Sequence, residues 1–423
     1  MVSTFYGLPL EKGGEAFLLR TPDPDGREWS ILVDAGYERK DDNPLIAALN
    51  RHAPDLRRID VAVCTHEDSD HCQGFPQFVE EWLDGGNEIG ELWLPGRWSV
   101  AFPQILTKPR ATADAIVEGA FEAAPEIRSA SWTDDEVGLM GRVEVEPSLA
   151  QAIAMAAARS GEEFSAMTLK LDRDRAALSE EQESWHGLPD DFDIDILLDY
   201  EDEAVLQSFG AESFGRLARR SRFYKVRERL LAIAEEDELA AQLANSALEI
   251  ADRVRRIAVA ALAGNVPVRW FDFGRFKDDG AASGGYPGFL TPANAVEVRP
   301  VPAPASSKLL FFSLQLTKAN VESLVLVRHQ TDSEPCVIFS GDSRFAHGEG
   351  KPSGDFPRPD GLPVSRRPLV TAPHHGSRTN DHGYKVLRDW LNHDAEQALF
   401  VRNGGSHVKV VDSYLQMPER LCV

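Results

Sequence analysis

The densest group of reactive side chains in the sequence is Thr65-His66-Glu67-Asp68-Ser69-Asp70-His71, which follows the apolar run Ile59 to Thr65. A buried strand over that run delivers His66, Asp68, Asp70 and His71 into one turn. Imidazole nitrogens and carboxylate oxygens in so small a volume suit one or two divalent ions. A polar capping loop is the bland alternative, but such loops seldom present His-x-Asp-x-Asp-His directly after a buried strand. Two later runs also carry such side chains: Phe339-Ser340-Gly341-Asp342 and Thr371-Ala372-Pro373-His374-His375-Gly376-Ser377. Taken singly, a Gly-Asp after a strand is a common turn and a His-His pair is usually surface. Arg344, Arg378 and Lys385 lie close to these motifs and are candidates to hold phosphate oxygens, although each alone reads more readily as solvated charge.

Stepping outward, the elements that must position these groups read as short strands and helices. Ala16 to Arg20 and Trp29 to Gly36 form an expected hairpin around Pro22-Asp23-Pro24-Asp25-Gly26. Asn43 caps an expected short helix with Pro44 at its first position. Gln77 to Leu83 reads as a helix and Glu91 to Pro95 as a strand, a β-α-β rhythm of layered α/β folds. From about Pro103 to Gly264 alanine, glutamate, arginine and leucine dominate, and helical periodicity replaces alternation, notably in Ser148 to Ala158 and Arg222 to Ala263. Glu162 to Tyr200 is acid-rich and irregular. Strand signals return in Val266 to Phe273, Ala295 to Val301, Leu309 to Leu316, Ser323 to His329 and Cys336 to Ser340. Leu369 to Ala372, a helix from Tyr384 to Leu391 and a strand from Ala398 to Arg402 follow. The expected organisation is therefore an α/β domain from 1–102 and 265–423, carrying a helical insertion at 103–264.

Composition bounds the function. With 43% apolar and 27% charged residues over 423 positions, the chain can bury a sizeable core. The N-terminus lacks a basic stretch followed by an apolar one, and no apolar run approaches the roughly 20 residues that span a bilayer. No membrane association and a cytoplasmic location are the expectations. Cys64, Cys72, Cys336 and Cys422 show no framework spacing, so free thiols are expected; Cys64 and Cys72 flank the metal run, but Cys64 lies on the apolar strand and reads as packing. A formal net charge of -23 repels polyanions, so a nucleic-acid substrate needs a local basic patch or a partner.

The run His66 to His71 resembles the His-x-His-x-Asp-His signature of the metallo-β-lactamase superfamily, with Asp68 where the second histidine usually stands. The resemblance implies an α/β fold, the αββα sandwich, and a hydrolytic site in which His66 and Asp68 serve one metal and Asp70 and His71 the other. Ile31 to Gly36 resembles the early strand ending in Asp-x-Gly, which makes Asp34 a support for the metal loop. Ser340-Gly341-Asp342 resembles the strand end whose carboxylate bridges the metals, and Pro373-His374-His375-Gly376-Ser377 the late histidine motif, with either histidine as ligand. Within the superfamily the pattern looks like the hydrolase domain of bacterial competence DNA-uptake channel proteins, over about 1–100 and 265–405. His407 resembles a late loop histidine at the active-site mouth, and Trp93 and Trp98, near the site in sequence, read as core or rim more readily than as base-stacking. The family's middle metal-binding histidine has no clear counterpart: His329 and His347 sit awkwardly, His186 lies in the insertion, and Asn320 occupies the neighbourhood.

The resemblance implies Zn2+ (one or two ions), or Mn2+ since Asp68 hardens the first site. Asp70 would orient or deprotonate the attacking water, and whichever of His374 and His375 is not a ligand would protonate the leaving group. The expected activity is phosphodiester hydrolysis on nucleic acid or a nucleotide. Hydrolysis of amide, ester or thioester bonds, and a non-catalytic subunit that docks a protein partner through the helical insertion, stay open beside it.

Overall fold

The computed structural model describes residues 2–10, 14–39, 43–107, 109–130, 238–299, 306–314, 319–347, 354–359, 362, 367–377, 380–391, 398–403, 410, 412–417 and 419–422. Outside them lie Ser148 to Ala158, Glu162 to Tyr200, the first part of Arg222 to Ala263, His186, Arg378 and His407. The chain divides into two compact units: one comprises 1–96, 260–298 and 319–423, the other 97–259 and 299–318.

The first unit carries the motif residues. Its strands are β1 (Thr4–Gly7), β2 (Phe17–Pro22), β3 (Glu28–Val33), β4 (Arg58–Val63), β5 (Glu88–Pro95), β6 (Val268–Asp272), β7 (Leu290–Pro292), β8 (Val296–Val298), β9 (Leu326–Arg328), β10 (Val337–Phe339), β11 (Ala346–His347), β12 (Gly354–Asp355), β13 (Leu369–Thr371), β14 (Leu399–Arg402) and β15 (Glu419–Cys422). One sheet runs β1-β2-β3-β4-β5-β6-β8, a second runs β15-β14-β13-β10-β9-β7, and β11 and β12 pair alone. Alternation explains the layering. Ile31, Val33, Val61 and Val63 of the first sheet share one core with Leu326, Val337, Phe339 and Val401 of the second. The intervening Leu32 and Ala62 are buried on the first sheet's other side, where the helix Phe75–Asp84 packs against β5. Ile338, Val370 and Phe400 point the other way in the second sheet and meet Tyr384, Leu387 and Trp390 of the helix Asp381–Leu391. The result is a helix–sheet–sheet–helix sandwich.

Local signals act as the sequence suggests. The Asn43 side chain accepts from the backbone N–H of Leu45 and Ile46 and starts the helix Pro44–His52. The hairpin of β2 and β3 is antiparallel, with Phe17 opposite Val33. More important for the site, β3 and β4 are parallel, with Val33 opposite Val63, and so are β10 and β13, with Ile338 opposite Val370. Residues just beyond Val33 and Val63 therefore emerge side by side, as do those beyond Phe339 and Thr371.

In the second unit the helices Trp98–Thr107, Pro109–Ala130 and Ser307–Leu314 pack together. A Cβ on Gly119 would lie 2.1 Å from the Ser307 carbonyl oxygen, so that crossing requires glycine. The strand expected over Leu309 to Leu316 is thus corrected to a helix. The run Leu309-Leu310-Phe311-Phe312-Ser313-Leu314 is apolar almost throughout, and period alone cannot separate a buried strand from a buried helix. No helix among the described residues is long and apolar enough to cross a membrane. None of the four cysteines is in a disulfide.

Candidate metal centre

The site is built on strand ends. Asp34 follows β3 in the left-handed region, φ 62°, where Asp is among the few non-glycine residues tolerated. Its buried carboxylate accepts from the Thr65 backbone N–H at 2.8 Å, from Thr65 Oγ1 at 2.8 Å and from His71 Nδ1 at 2.8 Å. Those contacts set two tautomers. A carboxylate only accepts, so His71 carries its proton on Nδ1. Thr65 gives its single hydroxyl proton to Asp34, so at 2.9 Å it accepts from His66 Nδ1. His375 Nδ1 lies 2.9 Å from the Asn403 carbonyl and must donate to it. Asn403 is held in turn by its side-chain amide, which donates to the carbonyls of Leu8 and Ala16. All three rings therefore direct an Nε2 lone pair into the site.

Opposite them, Gly341 turns the chain at φ 47°, where a Cβ would meet Ser323 Oγ at 2.4 Å. Ser323 Oγ accepts from the Asp342 backbone N–H at 3.0 Å, orienting a carboxylate that is 1% exposed. His374 and His375 both adopt left-handed backbone, φ 49° each. Two adjacent non-glycine residues in that region store on the order of 1–3 kcal/mol apiece, strain that surrounding structure must hold in place. Ordinary helical or extended backbone would not send both imidazoles toward Asp342.

The donor atoms fall into two groups sharing Asp342. His71 Nε2 and His375 Nε2 are 3.2 Å apart. Asp70 Oδ2 lies 2.9 Å from His375 Nε2, and Asp342 Oδ1 lies 3.1 Å from His71 Nε2. Around the second group, His66 Nε2 stands 3.6 Å from Asp68 Oδ2 and 3.7 Å from Asp342 Oδ2, while His374 Nε2 stands 3.5 Å from Asp342 Oδ2. Tetrahedral ligands at a zinc-like distance of roughly 2.0–2.1 Å are separated by about 3.3 Å, so these spacings fit a divalent ion. His66 Nε2 and Asp342 Oδ1 are buried and have no hydrogen-bond partner. Lone pairs facing each other at such distances repel unless a cation lies between them.

Electrostatics report the same demand. Burial and the neighbouring His71 oppose a charge on His66, yet the nearby carboxylates of Asp342 and Asp68 outweigh them and raise its pKa to about 10. Burial likewise opposes charging His71 and His375, but the surrounding carboxylates push both well above the ordinary histidine value. Burial raises the Asp70 carboxyl, while the hydrogen bond to His375 and the charge of His71 overcome it and bring it to about 2. Asp342 is held well below the ordinary carboxylate range because the histidines outweigh its burial. In the metal-free fold the carboxylates thus favour the charged forms of His66, His71 and His375.

The structure brings together His66, Asp68, Asp70, His71, Asp342, His374 and His375, with Asp34 behind them. His329 is instead hydrogen-bonded to Thr291 at 2.7 Å, and His347 packs on the Phe276 ring. His374 approaches Asp342 at 3.5 Å. Asn320 lies in the short helix Ala319–Glu322. Arg344 is half-buried two residues after Asp342, and burial lowers its pKa. Lys385 pairs with Asp381 at 3.3 Å on an exposed helix face, and Trp93 is buried in the inter-sheet core. Cys64 is buried and donates to the His66 carbonyl.

Sequence reasoning missed Glu15, which is 2% exposed. Its Oε2 lies 3.1 Å from His375 Nδ1 and its Oε1 3.9 Å from His71 Nδ1. Glu15, His71 and His375 have ligand atoms close enough to hold an ion, as do His66, His71 and Asp342. The first trio is the weaker candidate, because both Nδ1 atoms are committed to Asn403 and Asp34 and the carboxylate stands behind the rings. The only local sign in the sequence is an acid after Gly13-Gly14, which any turn can carry.

A family model described as the metallo-beta-lactamase superfamily matches residues 16–108, the stretch that holds Asp34 and the run His66 to His71. The mixed α/β sandwich of the first unit is consistent with a metallo-β-lactamase fold. No curated protein matches the chain.

Proposed function

We propose that the protein is a metal-dependent hydrolase that cleaves phosphodiester bonds in nucleic acid or a nucleotide. The observation that carries this reading is the convergence of lone pairs on Asp342. Asp70, His71, His375 and Asp342 would hold one ion; His66, Asp68, His374 and Asp342 would hold the other. Each set offers two nitrogens and two oxygens, a mixture that suits zinc and admits manganese. Bound divalent ions acidify water and stabilise negative charge developing on an attacked phosphoryl or carbonyl group.

The protein's own residues supply the rest. Asp34 and Asn403 fix the imidazole tautomers, so no ring must turn over for an ion to bind. Asp70, kept ionised by His375 and His71, orients water instead of serving as a reservoir of protons. His374, 22% exposed at its side chain, stands at the accessible side of the cluster. Two ions held by these residues would suit clamping the attacking and leaving oxygens of a phosphodiester, and the resemblance to the competence-channel hydrolase domain points the same way. The partner-docking reading drew on the unfilled histidine position, and the approach of His374 to Asp342 weakens that ground.

The test is metal content by plasma mass spectrometry on protein purified without added metal, beside turnover of bis(p-nitrophenyl) phosphate and p-nitrophenyl acetate. About two ions per chain, lost together with phosphodiester turnover in Asp70→Ala/His71→Ala, is the expected result. Turnover of the ester alone would favour acyl hydrolysis. No metal after reconstitution would sink the hydrolase reading.

A further inference from the structure

The buried carboxylate of Glu15 takes no direct part in the ligand set above. It is nonetheless closely built in. The Glu15 backbone N–H donates to the Asp70 carbonyl at 2.8 Å, and the next residue's carbonyl accepts from Asn403, whose own carbonyl holds His375. A single short segment thus touches Asp70, His375 and His71. Oε2 of Glu15 is buried without a hydrogen-bond partner, although it lies 3.1 Å from His375 Nδ1. The proton on that nitrogen already points at the Asn403 carbonyl, so the carboxylate acts on the ring by charge and not by accepting its hydrogen bond. Burial pushes the Glu15 carboxyl up and the charges of His375 and His71 oppose that rise, so positive charge at these rings favours its ionised form. Among the described residues, the point where the Nε2 atoms of His71 and His375 meet Asp70 and Asp342 is a place where a cation would supply that charge in front of the same rings.

We infer that Glu15 is a positioning residue for one of the two metal sites only: from behind His71 and His375 its charge makes their Nε2 atoms better ligands and tightens the ion held with Asp70. His66, Asp68 and His374 face the other ion, and Glu15 has no contact with them among the described residues. Removing the charge should therefore split the two affinities. This inference rests on the binuclear reading above.

The experiment is a titration of the metal-free full-length chain with Co2+, followed by its ligand-field absorption and by competition with a chromophoric chelator, on wild type, Glu15→Gln and Glu15→Asp. Carboxylates behind a ligating histidine are worth about 10–100-fold in metal affinity. The expected result is that Glu15→Gln binds one Co2+ as wild type does, binds the second about 10–100-fold more weakly, and keeps its far-ultraviolet circular dichroism. Glu15→Asp, which keeps the charge, should recover part of the loss. Wild-type affinities for both ions in Glu15→Gln would overturn the inference. So would equal loss of both ions, or of the fold, in Glu15→Gln and Glu15→Asp alike, since that marks a merely structural role. A wild-type chain that takes up no second ion would sink the binuclear reading and this inference with it.

Discussion

Asp34 orders the candidate metal centre without lending it a ligand atom. It accepts from Thr65 twice and from His71 once, and through Thr65 it also sets His66. Asp34→Asn keeps the shape and tolerates φ 62°, but it replaces one acceptor oxygen with a donor. Metal affinity should fall about 10–100-fold, and the chelated protein should lose about 1–3 kcal/mol through an unsatisfied buried group. Equilibrium dialysis and urea unfolding check the two figures separately. Protons compete for the same atoms. His66 rises from 6.5 to about 10 in the metal-free fold, so its contribution to stability is fully present below 6.5 and is lost as pH climbs toward 10. The melting temperature of chelated protein should therefore fall across that window. Metal uptake at pH 7 should release protons, which calorimetry in two buffers of different ionisation enthalpy measures. Of these residues, the run His66 to His71 was legible because its members are adjacent in sequence. Glu15, Ser323 and Asn403 were not, since nothing local marks them: His71 and His375 meet across 304 positions of chain.

Strand ends, more than loops, place the chemistry at the scale of elements. Parallel pairing of β3 with β4 brings Asp34 beside Thr65, and parallel pairing of β10 with β13 brings Asp342 beside His374. The turn at Gly341 is closely packed, with a Cβ there 2.4 Å from Ser323 Oγ. Gly341→Ala must strain φ 47° and drive a methyl into Ser323 Oγ, displacing the hydroxyl that orients Asp342. A loss of about 1–3 kcal/mol and of metal from both sites is expected, read by thermal unfolding and mass spectrometry; wild-type metal content would show that Asp342 does not depend on that turn. Alternating apolar strands and the Asn43 cap were readable because each carries its period or its side-chain acceptor in the local sequence. The helix Ser307–Leu314 was not, because Leu310, Phe311, Phe312 and Leu314 are all buried and a run apolar on every side has no period to read.

Across the whole molecule, charge bears on which substrates can reach the site. The chain carries a formal net charge of -23, and a long polyanion meets that field well before any contact. Proteins that bind DNA through a basic surface release counterions and lose affinity steeply as salt rises. Here the long-range term has the opposite sign. At an ionic strength of about 0.01 M the screening length is roughly 30 Å, against about 8 Å at 0.15 M, so added salt removes repulsion faster than it weakens short contacts inside a buried cluster. Turnover of a single-stranded oligonucleotide at subsaturating concentration should therefore rise as salt increases between those values. Turnover of bis(p-nitrophenyl) phosphate, which carries one charge, should change little. Parallel rate measurements on both substrates over this range separate the cases. A steep fall for the oligonucleotide alone would mean that a local basic surface outweighs the acidic total, and that the protein is built to capture nucleic acid; a rise would assign it to short substrates or to delivery by a partner.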